Sequence, residues 1–167
     1  MVIPEKERNR TAYHEAGHAI VGHYAGAKDE VHKISIISRG RAAGYTMKLP
    51  QDDTRMQSES DFIADLAMML GGRVAEEVVF GDVTTGASDD LKRATGLAMS
   101  MVKRFGMHNE LGPRTYGKHH EQVFLGRDIR EERDYSEETA TKIDGAVQKL
   151  VRDGQERARE LFNAHRK

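Results

Sequence analysis

Two histidines four residues apart, with a glutamate directly after the first, carry the strongest chemical signal in this sequence. On a helix, His14 and His18 would lie one above the other, about 6 Å apart along the axis. Two imidazoles at that spacing can bind one metal ion while the helix stays regular. The Glu15 side chain would point roughly 100° further round the helix. The pattern therefore predicts a metal site in which Glu15 acts as a general base on water and not as a ligand.

The element that must carry these residues is a helix predicted over residues 5–26. Ala12, Ala16 and Ile20 form one stripe of this helix, and the two histidines project from nearly the opposite side. Small residues at Ala16 and Gly17 would let a neighbouring backbone approach closely. We expect the helix to pack through its apolar stripe and to hold the metal on its other face.

A third ligand must come from elsewhere, because a catalytic zinc site takes three protein ligands and leaves a fourth position to water. The sequence has no cysteine, which leaves only histidine and carboxylate ligands for a transition metal. His23 is predicted to be packed or partly solvated on the far side of the first helix, and His32 falls in a strand. The remaining four are predicted to face solvent in loops or the tail: His108, His119, His120 and His165. The attractive carboxylates lie on the second predicted helix and at the start of the third: Glu76, Glu77, Asp89 and Asp90. Periodicity alone does not choose among them.

The composition argues against several classes of partner. The chain has 167 residues, 32% of them charged and 38% hydrophobic, which predicts one domain, or one domain with an appendage, around a modest core. A net charge of −1 gives no reason to expect nucleic acid or an anionic membrane as a partner. We expect the chain to be soluble, because it has neither an apolar run of membrane-spanning length nor a signal-peptide pattern. It also lacks a phosphate-binding loop, so we do not expect it to hydrolyse ATP by itself.

A small β-hairpin is predicted after the first helix. Residues 31–37 are β-branched and partly alternating, and residues 44–47 form a second short strand-like run. An exposed edge of this hairpin could pair with an extended peptide, although a purely structural hairpin is an equal alternative. Gly44, Tyr45 and Thr46 are the candidate substrate-binding residues on that edge.

The rest of the chain is predicted as helices around one long connection. A second helix over residues 58–80 contains Gly71 and Gly72, whose cost in a helix of roughly 1 kcal/mol each could be offset by close packing against the histidine helix. A third helix begins with Ser88 as its N-cap and stops near Gly106.

Three regions follow from this reading. Residues 1–112 form the metal-binding core, and residues 113–135 form a flexible connection. Residues 136–167 form a long C-terminal helix, whose apolar stripe is interrupted at Gly154. The fold class expected is mainly α, with a small β-hairpin or sheet beside the metal-binding helix.

Four sequence blocks occur in an order typical of one family: HEAGH at 14–18, GGRVAEE at 71–77, TTGASDDL at 84–91, and FGM with LGP at 105–113. In these blocks the chain resembles the peptidase domain of the FtsH family, the membrane-anchored AAA+ zinc proteases of bacteria, mitochondria and chloroplasts. FLGR at 124–127 and YSEETA at 135–140 extend the resemblance over nearly the whole chain.

The resemblance implies a zinc ion held by His14, His18 and Asp90. Asp90 matches the aspartate that ends the family's Gly-Ala-Ser-Asn-Asp block, and Asp89 stands where the family usually has asparagine. Glu76 is a reserve ligand in this comparison, or a residue that supports a ligand or lies in an interface. The implied activity is that of a zinc-dependent endopeptidase, in which Glu15 takes a proton from the attacking water and passes it to the leaving amine.

The resemblance also implies a larger assembly. The family forms homo-hexameric rings in which an ATPase domain of the same chain feeds unfolded or membrane-extracted proteins to the peptidase. An N-terminal anchor holds the assembly at the cytoplasmic face of the bacterial inner membrane, or at an organelle membrane in eukaryotes. Neither the ATPase nor the anchor is in this sequence. The chain is therefore expected to be a soluble fragment, and the family's domain to continue beyond Lys167.

Two other classes of function compete with this hypothesis. A closed structural zinc site would need a fourth protein ligand and would not need Glu15 beside the metal. A metal-free interaction domain would instead use the apolar stripe of residues 136–164 to bind a partner.

Overall fold

Four α-helices form most of the part of the chain described by the computed structural model, which covers residues 3–28, 30–35, 45–49, 56–119 and 131–167. The helices are α1 (Glu5–Ala25), α2 (Glu59–Phe80), α3 (Ser88–Lys103) and α4 (Glu137–His165). Two short antiparallel pairs accompany them: β1 (Glu30–Ser35) with β2 (Tyr45–Leu49), and β3 (Lys118–His119) with β4 (Glu131–Glu132). The predicted mainly helical fold is confirmed. None of the described helices is both long and apolar enough to span a bilayer.

α1 and α2 approach each other closely at two glycines of α2, one against backbone and one against side chains. A Cβ atom added to Gly71 would lie 2.6 Å from the carbonyl oxygen of Gly17, closer than real Cβ atoms approach. A Cβ atom on Gly72 would lie 2.6 Å from Nε2 of His18. The two glycines predicted to be costly in α2 therefore permit the close packing against the histidine helix that the sequence suggested.

The buried face of α1 differs from the one predicted. His14, Gly17 and Val21 are buried, whereas Ala16 and Ile20 of the predicted stripe are only partly covered. The reason is the pair of glycines on α2, which draws the Gly17 side of α1 into contact. The histidines consequently lie on the packed side of the helix and not opposite it.

Two apolar clusters stabilise the helices, and α2 contributes to both. Phe62, Leu66 and Leu70 of α2 pack with residues of α3 and α4 in the larger cluster. The smaller cluster joins α1, α2 from Ala67 onward and the end of α4, where Phe162 is fully buried. Gly154, which interrupts the apolar stripe of α4, lies within the helix. A Cβ atom there would be 3.3 Å from Leu66, so this glycine permits a close approach to α2.

The ends of α2 and α3 are set by local hydrogen bonds. Ser58 and Asp61 form a reciprocal capping box at the start of α2. Before α3, Thr85–Ala87 form a 3₁₀ turn, so Ala87 and not Ser88 is the N-cap residue, and that prediction is wrong. The last helical residue of α3 is Lys103, three residues before the predicted stop at Gly106.

The segment predicted as a flexible connection has two ordered ends. The hydroxyl of Tyr116, which is buried, donates to the carbonyl of Leu111 over 2.5 Å. The amide of Gly117 donates to the carboxylate of Asp134 over 2.7 Å, and the rings of Tyr116 and Tyr135 meet edge to face. Residues 113–119 and 131–135 are therefore held against the helical core. Residues 120–130 lie outside the described part of the chain.

Candidate metal centre

Three potential ligand atoms from two helices converge at one point. Nε2 of His14 lies 3.0 Å from Nε2 of His18 and 3.0 Å from Oδ2 of Asp90. The third side of the triangle, from Nε2 of His18 to Oδ2 of Asp90, is 3.2 Å. α1 provides both imidazoles, and the first turn of α3 provides the carboxylate. Gly72 of α2 lies directly under both imidazoles, where any side chain would collide with them.

The hydrogen bonds on the far side of each ring determine which nitrogen carries the proton. Nδ1 of His14 lies 3.0 Å from the carboxylate of Glu76, and Nδ1 of His18 lies 2.7 Å from the carbonyl oxygen of Met68. A carboxylate and a carbonyl oxygen both accept, so each Nδ1 must donate its hydrogen. In the neutral imidazoles, Nε2 of each ring then presents a lone pair towards the other ring and towards Asp90. Three lone pairs this close repel one another unless a metal ion or a proton lies between them.

The donor set fits a zinc ion. Zinc takes histidine nitrogen and carboxylate oxygen at about 2.0–2.2 Å in tetrahedral geometry, which places neighbouring ligand atoms about 3.3–3.6 Å apart. The three observed separations, 3.0, 3.0 and 3.2 Å, are slightly shorter than that spacing, so a small outward movement of the side chains would accommodate the ion. These three residues are also the one group in the described chain whose side chains could together hold a metal ion. Three protein ligands leave a tetrahedral zinc one further position.

The charges around the site also favour a cation. Burial by itself raises the pKa of Asp90, but hydrogen bonds from His14 and His18, donated when a proton is on Nε2, outweigh it and hold that pKa well below its usual value. Burial likewise lowers the pKa of His14, but hydrogen bonds to Asp90 and Glu76 and the charge of Glu15 raise it above the usual value. The centre thus holds an ionised carboxylate, with further acidic groups around His14.

Glu76 contacts the outer edge of His14 and not the three converging atoms. Its side chain is only 2% exposed on α2, and its Oε2 accepts from Nδ1 of His14. Its Oε1 accepts from the hydroxyl of Thr84 over 2.7 Å, and Arg10 lies 3.9 Å from that oxygen. A carboxylate in this position fixes the orientation and the tautomer of the ring it contacts. Glu76 is placed as the support of a ligand, which was one of the roles open to it from sequence.

Glu15 follows His14 on α1 and is buried, with 8% of its surface exposed. Burial lowers the pKa of His14 and its hydrogen bonds to Asp90 and Glu76 raise it, and the charge of Glu15 adds a smaller increase. Glu15 is not among the three residues that could hold the metal. The structure therefore keeps it as a neighbour of the site and not as a member of the ligand set, as its position in the sequence predicts.

The other candidate ligands contact different residues or are exposed to solvent. Glu77 pairs with Arg159 of α4 over 2.8 Å, and Asp89 is exposed. His23 is exposed, whereas the sequence predicted it to be packed or partly solvated, and the ring of His165 stacks on Tyr24.

Three further histidines add no ligand to the described site. His108 is partly buried, contrary to the prediction that it faces solvent. The side chains of His32 and His119 are not described, and His120 lies outside the described residues.

The predicted substrate-binding residues are only partly within the described chain. Gly44 lies outside it, while Tyr45 and Thr46 belong to β2. Their backbones pair with Ser35 and Ile34 of β1.

Sequence reasoning missed two features of the centre. One is Thr84, whose hydroxyl reaches Glu76; its position at the start of a Thr-Thr-Gly turn was a usable signal. The other is the carbonyl of Met68, which no sequence pattern marks as a partner for His18.

A helix that bears two histidines at this spacing, with a glutamate beside them and a carboxylate from a second helix, is typical of metallopeptidase domains. The profile of the family described as Peptidase family M41 matches residues 1–167, and the chain belongs to that family. The resemblance seen in the sequence blocks is thereby confirmed.

Several curated proteins are similar to the chain over almost its full length. An ATP-dependent zinc metalloprotease FtsH 1 from Conexibacter woesei is 47% identical over 165 residues, which are 99% of this chain and 25% of that protein. FtsH 3 of Symbiobacterium thermophilum is 50% identical over 165 residues, 99% of this chain and 26% of that protein. FtsH of Thermotoga maritima is 50% identical over 167 residues, which are 99% of this chain and 27% of that protein. The chain thus spans about a quarter of the length of these relatives.

Proposed function

We propose that the chain is a zinc-dependent endopeptidase domain that hydrolyses peptide bonds of unfolded or membrane-extracted proteins. His14, His18 and Asp90 hold the zinc ion, and Glu15 is the catalytic base. The observation that carries the proposal is the convergence of three lone pairs whose imidazole protons are already committed to Glu76 and Met68. The names of the relatives, which are zinc metalloproteases, agree with this assignment.

The chain's own residues divide the work of the reaction. Zinc, when bound, acts as a Lewis acid on the scissile carbonyl and lowers the pKa of water towards about 7. Glu15 accepts the proton of the attacking water and delivers it to the leaving amine. Glu76 and the carbonyl of Met68 keep the two imidazoles facing the metal, so that little reorganisation is needed during the reaction.

β2 is the proposed site of the substrate backbone. Within the described residues β2 pairs with β1 alone, so its other edge has no described partner. An extended peptide could add there as a third strand, with backbone hydrogen bonds that do not depend on its sequence. Gly44, Tyr45 and Thr46 are proposed to make these contacts, which suits an enzyme that cleaves many unfolded chains.

The full-length protein is proposed to be ATP-dependent and larger than this domain. Its relatives are named as ATP-dependent proteases, and about three quarters of their length lies outside the region that matches this chain. We propose that this remainder supplies the ATPase in cis and the membrane anchor, and that the full-length protein is a homo-hexamer. Its location would then be the cytoplasmic face of the bacterial inner membrane, or an organelle membrane.

Metal content and peptide cleavage measured together test the proposal. The purified chain should contain one zinc ion and should cleave an unstructured peptide, and a chelator should abolish cleavage. Glu15→Gln should keep the zinc and lose cleavage, because the amide cannot accept the proton. The matched control is Glu7→Gln, which changes an exposed glutamate of the same helix and should leave both properties unchanged. A zinc-loaded Glu15→Gln sample that still cleaves would refute the role of Glu15.

A further inference from the structure

The hydroxyl of Thr84 contacts both Glu76, which orients the proposed ligand His14, and the turn that precedes the proposed ligand Asp90. Oγ1 of Thr84 donates to Oε1 of Glu76 over 2.7 Å. The same oxygen accepts from the backbone amide of Gly86 over 3.2 Å. The hydroxyl therefore uses both its hydrogen and a lone pair, and neither contact is to the converging atoms themselves.

On one side, this hydroxyl helps to fix the carboxylate that orients His14. Glu76 is buried, and each of its two oxygens has a partner: Oε2 has Nδ1 of His14, and Oε1 has Thr84. A carboxylate held at both oxygens cannot rotate without breaking one of the two bonds. Arg10 is nearby, but at 3.9 Å its guanidinium balances the charge of Glu76 without a hydrogen bond to Oε1.

On the other side, the hydroxyl caps the turn that leads to Asp90. The amide of Gly86 belongs to the 3₁₀ turn Thr85–Ala87, which continues directly into α3. Asp90 is the third residue of α3, so its position depends on how that turn is set. The Thr84 side chain thus contacts both Glu76 on α2 and the 3₁₀ turn that leads to Asp90.

We infer that Thr84 is a positioning residue that couples the orientation of His14 to the placement of Asp90. The inference rests on the proposed zinc site. A valine at this position would have nearly the same shape but could neither donate to Glu76 nor accept from Gly86. Both ligands would then gain freedom together, and zinc binding would weaken although no ligand had been changed.

Zinc affinity, measured by competition with a chromophoric chelator on the 167-residue chain, tests the inference. Thr84→Val should bind zinc about 10- to 100-fold more weakly, the usual loss when a residue supporting a metal ligand is changed. Thr84→Ser keeps the hydroxyl and should stay within about threefold of the unchanged chain. The matched control is Thr95→Val, because the exposed hydroxyl of Thr95 bonds only along α3, to the carbonyl of Leu91. That variant should bind zinc normally.

A double-mutant cycle with Glu76→Gln distinguishes a positioning role of Thr84 from a general loss of structure. In Glu76→Gln, the charge-assisted link to His14 is already lost, so adding Thr84→Val should cost less than half as much on a logarithmic scale as it does alone. Equal losses in both backgrounds would show that Thr84 does not act through Glu76. Should Thr84→Val fail to fold, as judged by circular dichroism, Thr84→Ala replaces it in the same cycle.

The outcomes of this experiment distinguish the inference from the proposed function. If the unchanged chain binds no zinc, the proposed function fails whatever Thr84 does. If the unchanged chain binds zinc and a folded Thr84→Val binds it within about threefold, the inference is overturned and the zinc site stands.

Discussion

The two faces of α2 are packed by different means. One face presents Gly71 and Gly72 to the histidine helix, so that backbone touches backbone and imidazole. The other face presents Phe62, Leu66 and Leu70 to an apolar cluster shared with α3 and α4. The large side chains stabilise the fold through buried area, whereas the glycines set the distance between α1 and α2 that the ligands require. Changes on the first face should alter the metal centre, and changes on the second should alter mainly stability.

The largest effect is expected on the apolar face, from Leu66→Ala. Leu66 is 1% exposed at the centre of the larger cluster. Its truncation should lower the free energy of unfolding by about 2–5 kcal/mol through lost burial and a cavity. The measurement is chemical denaturation of the metal-free chain. Leu66→Met keeps the volume and should cost less than about 1.5 kcal/mol. A loss as large for methionine as for alanine would contradict this description of the face.

Gly71→Ala should come next, because the added methyl group meets the backbone of Gly17 and cannot be accommodated by a rotamer change. We expect a loss of about 1–3 kcal/mol in the free energy of unfolding, despite the better helix propensity of alanine. The matched control is Gly145→Ala on α4, where a Cβ atom would meet nothing within 4 Å. That control should gain about 0.5–1 kcal/mol. A stabilising Gly71→Ala would show that the helices are not held at this distance.

Gly72→Ala should affect zinc more than folding. The new methyl group would collide with side-chain nitrogens and carbons of His14 and His18, which can turn away. Turning them opens the ligand triangle, so zinc affinity should fall at least about tenfold. Gly96→Ala, at an open position on α3, serves as the control and should leave zinc affinity unchanged. Normal zinc binding by a folded Gly72→Ala variant would contradict the described position of the imidazoles.

The smallest effect should come from the capping carboxylate of Asp61, in the first turn of α2. Bonds from the amide of Ser58 and from Lys28 hold the pKa of Asp61 below its usual value. A group with a lowered pKa in the folded state stabilises the fold above its unfolded pKa, near 3.8, and loses that contribution as the pH falls through the folded pKa. Asp61→Asn should therefore flatten the acid limb of the stability profile slightly, with little change in zinc affinity. If the acid limb of the stability profile were the same in Asp61→Asn, the Asp61 carboxylate would not stabilise the fold.

The sequence predicted the parts of the site that depend on local geometry. The spacing of His14 and His18 places both on one side of a helix, and this depends only on helical periodicity. The choice of Asp90 could not be made that way, because it depends on where the packing of α3 on α2 and α4 places the first turn of α3 relative to the histidines. That choice came from the family resemblance alone.

The packing of α1 was mispredicted for a related reason. The apolar stripe of Ala12, Ala16 and Ile20 suggested one face, but two glycines on α2 made a different face the closer fit. Helix periodicity reports which residues are apolar, and backbone-to-backbone contact depends on where the partner helix is small. The role of Thr84 was missed because a turn hydroxyl has no periodic signal.

The most direct test of the proposed metal centre is a crystal structure of the zinc-loaded chain, with anomalous scattering recorded at the zinc edge. We predict one zinc peak bonded to Nε2 of His14, Nε2 of His18 and a carboxylate oxygen of Asp90, each at about 2.0–2.2 Å. Nδ1 of His14 should still donate to Glu76. A zinc peak elsewhere, or one bonded to Glu76 in place of Asp90, would contradict the proposed centre.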